Sequence, residues 1–174
     1  LAYQVLRDPA SKKIKIAITY TNRAAEEITN RLEGMNIDQS SIWAGTIHQF
    51  CMHFIIRPYA MYSKRLCKGY RIIDDYSKKA YGREIAERLG MHLNYYDDPF
   101  QYENVRTEYK RVLKEKKEID FDAILLISEE LLASCAFIGS NIASVISSIL
   151  VDEFQDTNEL QYSILSVSYT HLRA

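Results

Sequence analysis

Apolar residues in this chain fall into short, separate runs, and their spacing changes character from one run to the next. Residues 14–20 alternate and end in β-forming side chains, which predicts a strand. Thr21-Asn22 punctuates it. Ala24, Ala25, Ile28 and Leu32 then recur at helical spacing over residues 23–32, with Gly34 as the stop. A second strand fits residues 41–44, after which Gly45-Thr46 turns into a helix over residues 48–59. The apolar run that closes residues 148–151 predicts a third strand, buried on both faces. Strand, helix, strand, helix is the grammar of a parallel α/β sheet.

Between these stretches the pattern shifts. Residues 61–118 are rich in Tyr, Lys, Arg and Asp and carry no convincing strand. A helix is predicted over residues 75–89, stopped by Gly90, and another from Asp97-Asp98-Pro99 to residue 117, the proline suiting a first turn. Residues 121–133 form a strongly apolar helix that Gly139-Ser140-Asn141 is expected to break. Asn158 can cap a last helix reaching residue 165, and residues 1–6 read as the tail of an earlier one. The expected organisation is therefore an α/β domain in two pieces, residues 1–57 and 119–165, interrupted by a helical insertion at residues 58–118.

Composition narrows the class. The formal net charge of -1 provides no global positive field, so any nucleic-acid contact must come from local patches. Cys51, Cys67 and Cys135 are an odd number without a C-x-x-C pair, which favours reduced thiols in a cytoplasmic protein over a disulfide framework or zinc site. Residues 131–151 carry no charge over nearly a membrane-spanning length. Interleaved serines, Gly139 and Asn141 nevertheless favour a buried helix, a turn and a strand, and no membrane association is expected. Residues 1–7 lack the basic-then-apolar layout of a signal peptide.

Candidate chemistry is concentrated in Ile149-Leu150-Val151-Asp152-Glu153-Phe154-Gln155-Asp156-Thr157. Carboxylates at the end of a buried parallel strand emerge at the sheet rim, where open α/β sheets bind ligands. One acid can hold Mg²⁺ through oxygen, the next can polarise an attacking water, and Gln155 can orient that water. This is Walker B chemistry, serving a nucleotide phosphate. Apolar residues followed by Asp-Glu also occur with no chemistry at all, so the acids alone leave a structural role open.

The longer string Asp-Glu-Phe-Gln-Asp-Thr-Asn, followed by Gln161, resembles motif II of the UvrD/Rep-type superfamily 1 DNA helicases. Three further segments stand in the helicase order. Thr19-Tyr20-Thr21-Asn22-Arg23-Ala24-Ala25 resembles motif Ia, and Gly45-Thr46-Ile47-His48-Gln49-Phe50-Cys51 resembles motif Ib. Asp120-Phe121-Asp122 resembles the segment where the chain re-enters the motor domain after its insertion.

The resemblance implies a RecA-like P-loop NTPase sheet with a helical insertion subdomain, using ATP and Mg²⁺. It assigns Asp152 to Mg²⁺ coordination, Glu153 to activation of the hydrolytic water and Gln155 to sensing the γ-phosphate, with Asp156 in a structural role. Tyr20 would stack on a base, Thr21 and Asn22 would bond phosphate oxygens, Arg23 would add charge, and Thr46 and His48 would contact DNA from the second loop. Each has an ordinary counterpart: Tyr20 as a core ring, Thr21-Asn22 as a helix cap, His48 as a core histidine. Asp120 and Asp122 read first as caps of the following helix. The basic runs at residues 64–71 and 106–117 fit duplex binding or a solvated face equally.

Implied partners are single-stranded DNA, a duplex junction and a second RecA-like domain of the same chain, with translocation 3′ to 5′. The family's G-x-x-x-x-G-K-[ST] phosphate cradle does not occur, since no glycine here is followed by lysine. The chain is therefore expected to be an interior piece of a motor, without nucleotide-cradling residues of its own and inactive as an ATPase alone. Residues 166–174 depart from the family pattern and read as a non-native tail. Alternatives are a catalytically silent single-strand-binding module, a subunit of a helicase–nuclease, and a helical structural protein with chance matches. The last takes precedence if Tyr20 and Asp152 do not share one edge of one parallel sheet.

Overall fold

The chain's architecture comes from a computed structural model that describes residues 13–35 and 39–170; the side chains at 39, 156 and 167–170 are outside that description. The helix read at residues 1–6 and the last four residues of the expected tail also lie outside it. The chain forms two compact units, one of them Ala60–Ile124 and the other the chain on either side of it, up to Tyr59 and from Leu125.

The first unit is built on β1 (Ile14–Thr19), the alternating stretch of the sequence. It sits between β2 (Ile42–Thr46) and β5 (Ile146–Val151), and both neighbours run parallel to it. A central parallel strand is covered on both faces, and Ile16, Ala17 and Ile18 are accordingly buried one after another. Between β1 and β2 runs α1 (Asn22–Gly34), which buries Ala25 and Leu32. After β2 comes α2 (Ile47–Phe50), whose winding loosens to a π-helix at Cys51–Ile56 before a last turn, Arg57–Tyr59. Pro58 gives this loosening a cause, because its ring clashes with the carbonyl four residues back and it has no N–H to donate. The Arg57 N–H already reaches five residues back, to Met52 O.

The second unit holds two strands too short for any period to reveal. β3 (Arg71–Ile72) pairs in parallel with β4 (Glu118–Ile119), where the sequence predicted no strand. Its helices are α3 (Asp75–Arg88) and α4 (Glu103–Lys116). The expected start of α4 at Asp97 is corrected: Asp98 caps only a short 3₁₀ turn, Pro99–Gln101, and the extended Tyr102 separates this turn from the helix. Ile73, Ile85, Val105, Tyr109 and Leu113 form the core of the unit.

α5 (Phe121–Ser134) contributes residues to both units, and α6 (Ala136–Val145) follows it. The expected break at Gly139-Ser140-Asn141 is a second correction, since the chain breaks at Cys135 and these residues lie within α6. Ile138, Ile142 and Ala143 bury one helical face there, which outweighs the roughly 1 kcal/mol that a glycine costs a helix interior. The uncharged stretch at residues 131–151 is thus a helix end, a second helix and a strand. No helix among the described residues is long and apolar enough to cross a membrane. The last helix, α7 (Glu159–Thr170), runs past residue 165. Nothing in Ser166–Thr170 breaks a helix, because the segment holds neither Gly nor Pro.

Candidate functional site

The three strands of the first unit end together. Thr19 lies opposite Thr46, and Ile18 opposite both Gly45 and Val151, so the next residues emerge along one C-terminal rim. The ladder continues one step past β5, where the Asp152 N–H donates to Ile18 O at 2.9 Å. Tyr20 and Asp152 therefore share one edge of one parallel sheet, and the reading as a helical structural protein is discarded.

Local hydrogen bonds fix the loops on that rim. Thr19 Oγ1 donates to Thr21 O at 2.9 Å and tightens the turn, while Thr21 Oγ1 caps α1 by accepting from the Ala24 N–H at 3.2 Å. Thr46 and Gln49 form a reciprocal capping box: Thr46 N–H donates to Gln49 Oε1 at 2.8 Å, and Thr46 Oγ1 accepts from Gln49 N–H at 3.4 Å. Thr21 and Thr46 are thus both helix caps by geometry, and each leaves a helix N-terminus at the rim. Gly45 permits the second arrangement. A Cβ there would stand 2.6 Å from the Trp43 ring and 2.8 Å from Gln49 Oε1.

Beyond β5 the chain turns sharply. Glu153 adopts a left-handed conformation with φ of 52°, which costs a non-glycine residue about 1–2 kcal/mol. Glu153 is exposed, and its carboxylate accepts a hydrogen bond from the Gln155 side-chain amide. The chain then enters α7 through a second reciprocal cap, in which Gln161 N–H donates to Asn158 Oδ1 at 2.9 Å and Asn158 N–H to Gln161 Oε1 at 3.2 Å.

A cavity of about 240 Å³ opens at the rim, with Tyr20, Thr46, His48, Asp152, Thr157 and Gln161 in its lining. Ile18, Val151 and Leu165 give it an apolar floor. Of the residues singled out in the sequence, Tyr20, Thr46, His48 and Asp152 come together here. Thr21, Arg23, Glu153 and Gln155 do not line the cavity, and Asn22 lines a separate groove. Tyr20 is 48% exposed, so it is not the core ring that a strand-end tyrosine could have been. Thr157 and Gln161 were not assigned to the site from the sequence; the signal for Gln161 was its Asn-x-x-Gln spacing from Asn158.

Asp120 is a structural residue. Its Oδ1 accepts from the Ala123 N–H at 2.9 Å to cap α5, and its Oδ2 accepts from the Tyr109 hydroxyl at 3.0 Å. Asp122 pairs with Lys78 at 2.5 Å. In the second basic run, Arg106 and Arg111 are held by Glu103, Glu108 and Glu115 on their own helix, which is the solvated-face arrangement.

A parallel sheet with a carboxylate and two capped helices at its C-terminal rim defines an α/β protein with an open parallel sheet. The profile of the UvrD/REP helicase N-terminal domain matches residues 1–101 and 90–173, and the chain belongs to that family. It is 25% identical over 182 residues to the ATP-dependent DNA helicase PcrA of Leuconostoc citreum, an alignment covering 87% of this chain and 24% of that protein. To the DNA helicase II of Escherichia coli strain K12 it is 25% identical over 176 residues, covering 85% and 24% respectively. A PcrA helicase of Staphylococcus aureus strain Mu50 is 22% identical over 96% of this chain. The chain spans about a quarter of the length of these relatives.

Proposed function

We propose that this chain is the nucleotide- and strand-handling core of an ATP-dependent DNA helicase. The longer cytoplasmic protein would translocate 3′ to 5′ along single-stranded DNA and separate a duplex at a junction, with a second RecA-like domain completing the ATP site. The observation that supports this reading is the shared cavity: Asp152 and the candidate strand contacts Tyr20, Thr46 and His48 line one space at one sheet rim.

Asp152 offers the hard oxygen that Mg²⁺ prefers, at the mouth of a cavity wide enough for other ligands. No three metal-binding side chains converge among the described residues, so the remaining ligands would be nucleotide oxygens and water. When bound, the ion supplies neutralisation of phosphate charge. Glu153 stands next in sequence on a strained turn, of the kind that clusters at functional sites. Its exposed carboxylate takes the proton from the attacking water, and the Gln155 amide it already holds orients that water. On the DNA side, Tyr20 stacks on a base, while Thr21, Asn22, Arg23 and Thr46 meet phosphates at two helix N-termini.

One observation favours a second reading, a silent single-strand-binding module. None of the six glycines precedes a lysine, so these residues hold no phosphate cradle of the G-x-x-x-x-G-K-[ST] pattern. Replacing Glu153→Gln in the longer protein separates the two. Steady-state ATP turnover should fall by about 10²- to 10⁴-fold with ATP binding retained, as expected on losing a general base. Turnover at the parent rate would refute the role of Glu153, and a parent protein without turnover would favour the silent module.

A further inference from the structure

Beside the cavity lies a groove of about 320 Å³ whose residues have no role in the reading above apart from Asn22. Its size is at the lower end of small-ligand pockets, which run from roughly 300 to 1,000 Å³. Asn22, Glu26 and Asn30 recur every fourth residue along α1 and so lie on one helical face, and Gln49 of α2 closes the groove. Ala25 and Ala44 line it with nothing larger than a methyl group, which leaves room for a flat ring. The Thr46–Gln49 capping box fixes the Gln49 amide by its Oε1 and leaves Nε2 as a donor. Three amides, one carboxylate and the Thr29 side chain thus line a small-floored space along the first two turns of α1.

We propose that this groove receives an unpaired nucleobase carrying an exocyclic amino group, in preference to thymine or uracil. The proposal rests on the single-strand reading, with the strand's backbone passing Thr21–Arg23 and Thr46. A carboxylate only accepts hydrogen bonds. Adenine, cytosine and guanine each present an amino group to Glu26, whereas thymine and uracil offer only N3–H, flanked by two carbonyls whose lone pairs face the carboxylate. The same charge repels phosphate, so a strand in the groove must turn its base inward and its backbone toward the helix N-termini. Asn30 and Gln49 supply amide donors and acceptors for the rest of the base edge, and Asn22 meets the backbone where it enters the groove. The helicase core would then hold a base preference without contacting a duplex groove.

Oligo(dC) and oligo(dU) test this directly, because their bases differ in an amino group against a carbonyl at C4 and in N3, an acceptor in cytosine and an N–H donor in uracil. Fluorescence anisotropy titrations of the 174-residue chain should show oligo(dC) bound about tenfold more tightly than oligo(dU), the scale of one good base-edge contact. Glu26→Gln, on the exposed face of α1, should bring the ratio to near one, and Asn30→Ala should weaken oligo(dC) more than oligo(dU). Thermal melts would verify that both variants fold. Equal binding by the parent chain, or a ratio that persists in Glu26→Gln, would overturn the base preference and leave the single-strand reading standing. Binding to neither oligonucleotide would overturn the single-strand reading itself, and the base preference with it.

Discussion

Gly45 shows how one residue can hold a loop in register. In a strand, glycine usually weakens packing, unless another group approaches too closely for any side chain. Here the Trp43 ring and the Gln49 carboxamide occupy the space a Cβ would need. Gly45→Ala must therefore displace one of them, and the Gln49 side chain is the more movable. The expected result is loss of the Thr46 capping box, costing about 1 kcal/mol or somewhat more in thermal or urea unfolding. Single-strand affinity should fall as well, because Thr46 lines the cavity. An unchanged melting curve would show that the box closes without the glycine. Cys51 is the opposite case, a residue without a surface role. Burial pushes its thiol up to about 12, which fits an inert core group in a π-helical turn.

At the scale of elements, legibility followed length and periodicity. The β1 strand, the α1 helix and the apolar run of β5 are each long enough to show their period, and the caps at Thr21 and Asn158 are plain in the residue types. β3 and β4 have two residues each and show none. The π-helix could not be read either, because its residues bury as an ordinary helix would and only Pro58 hints at it. Gly139 misled because it lies on the buried face of a strongly apolar helix, beside Ile138, Ile142 and Ala143. The site divided in the same way. Local caps and the acid cluster were visible, but the cavity depends on three strands ending together and the groove on α1 packing against β2.

Tyr109 links two such elements and makes the second unit sensitive to alkali. Burial, followed by the negative charge of Asp120 that its hydroxyl faces, raises its ionisation well above the ordinary phenol value. An unfolded tyrosine ionises near pH 10. The folded state therefore binds more protons above that pH, and its stability falls as pH rises. Below about pH 10 this contribution is fully present. Tyr109→Phe should lower stability at neutral pH by about 1.5–3 kcal/mol, the scale of a hydrogen bond to a charged group. It should also flatten the alkaline limb of a pH–stability curve. A curve of the parent's slope would mean that another group carries the alkaline limb.

For the molecule as a whole, the division of labour is simple. A three-stranded parallel sheet sets Asp152 on the same rim as the Tyr20 and Thr46 loops. The helical unit carries its own core and does not contribute to that cavity. The Tyr20 ring and the Asp152 carboxylate in one cavity are the feature that joins the two activities proposed for the family core.

The most direct test is single-strand binding by the 174-residue chain against its Tyr20→Ala variant, measured by fluorescence anisotropy at fixed low salt alongside thermal melts. A stacked base contributes about 1–3 kcal/mol. The variant should therefore bind roughly five- to 150-fold more weakly while melting at the parent temperature. Equal affinity, or a loss of binding matched by a loss of folding, would contradict the account.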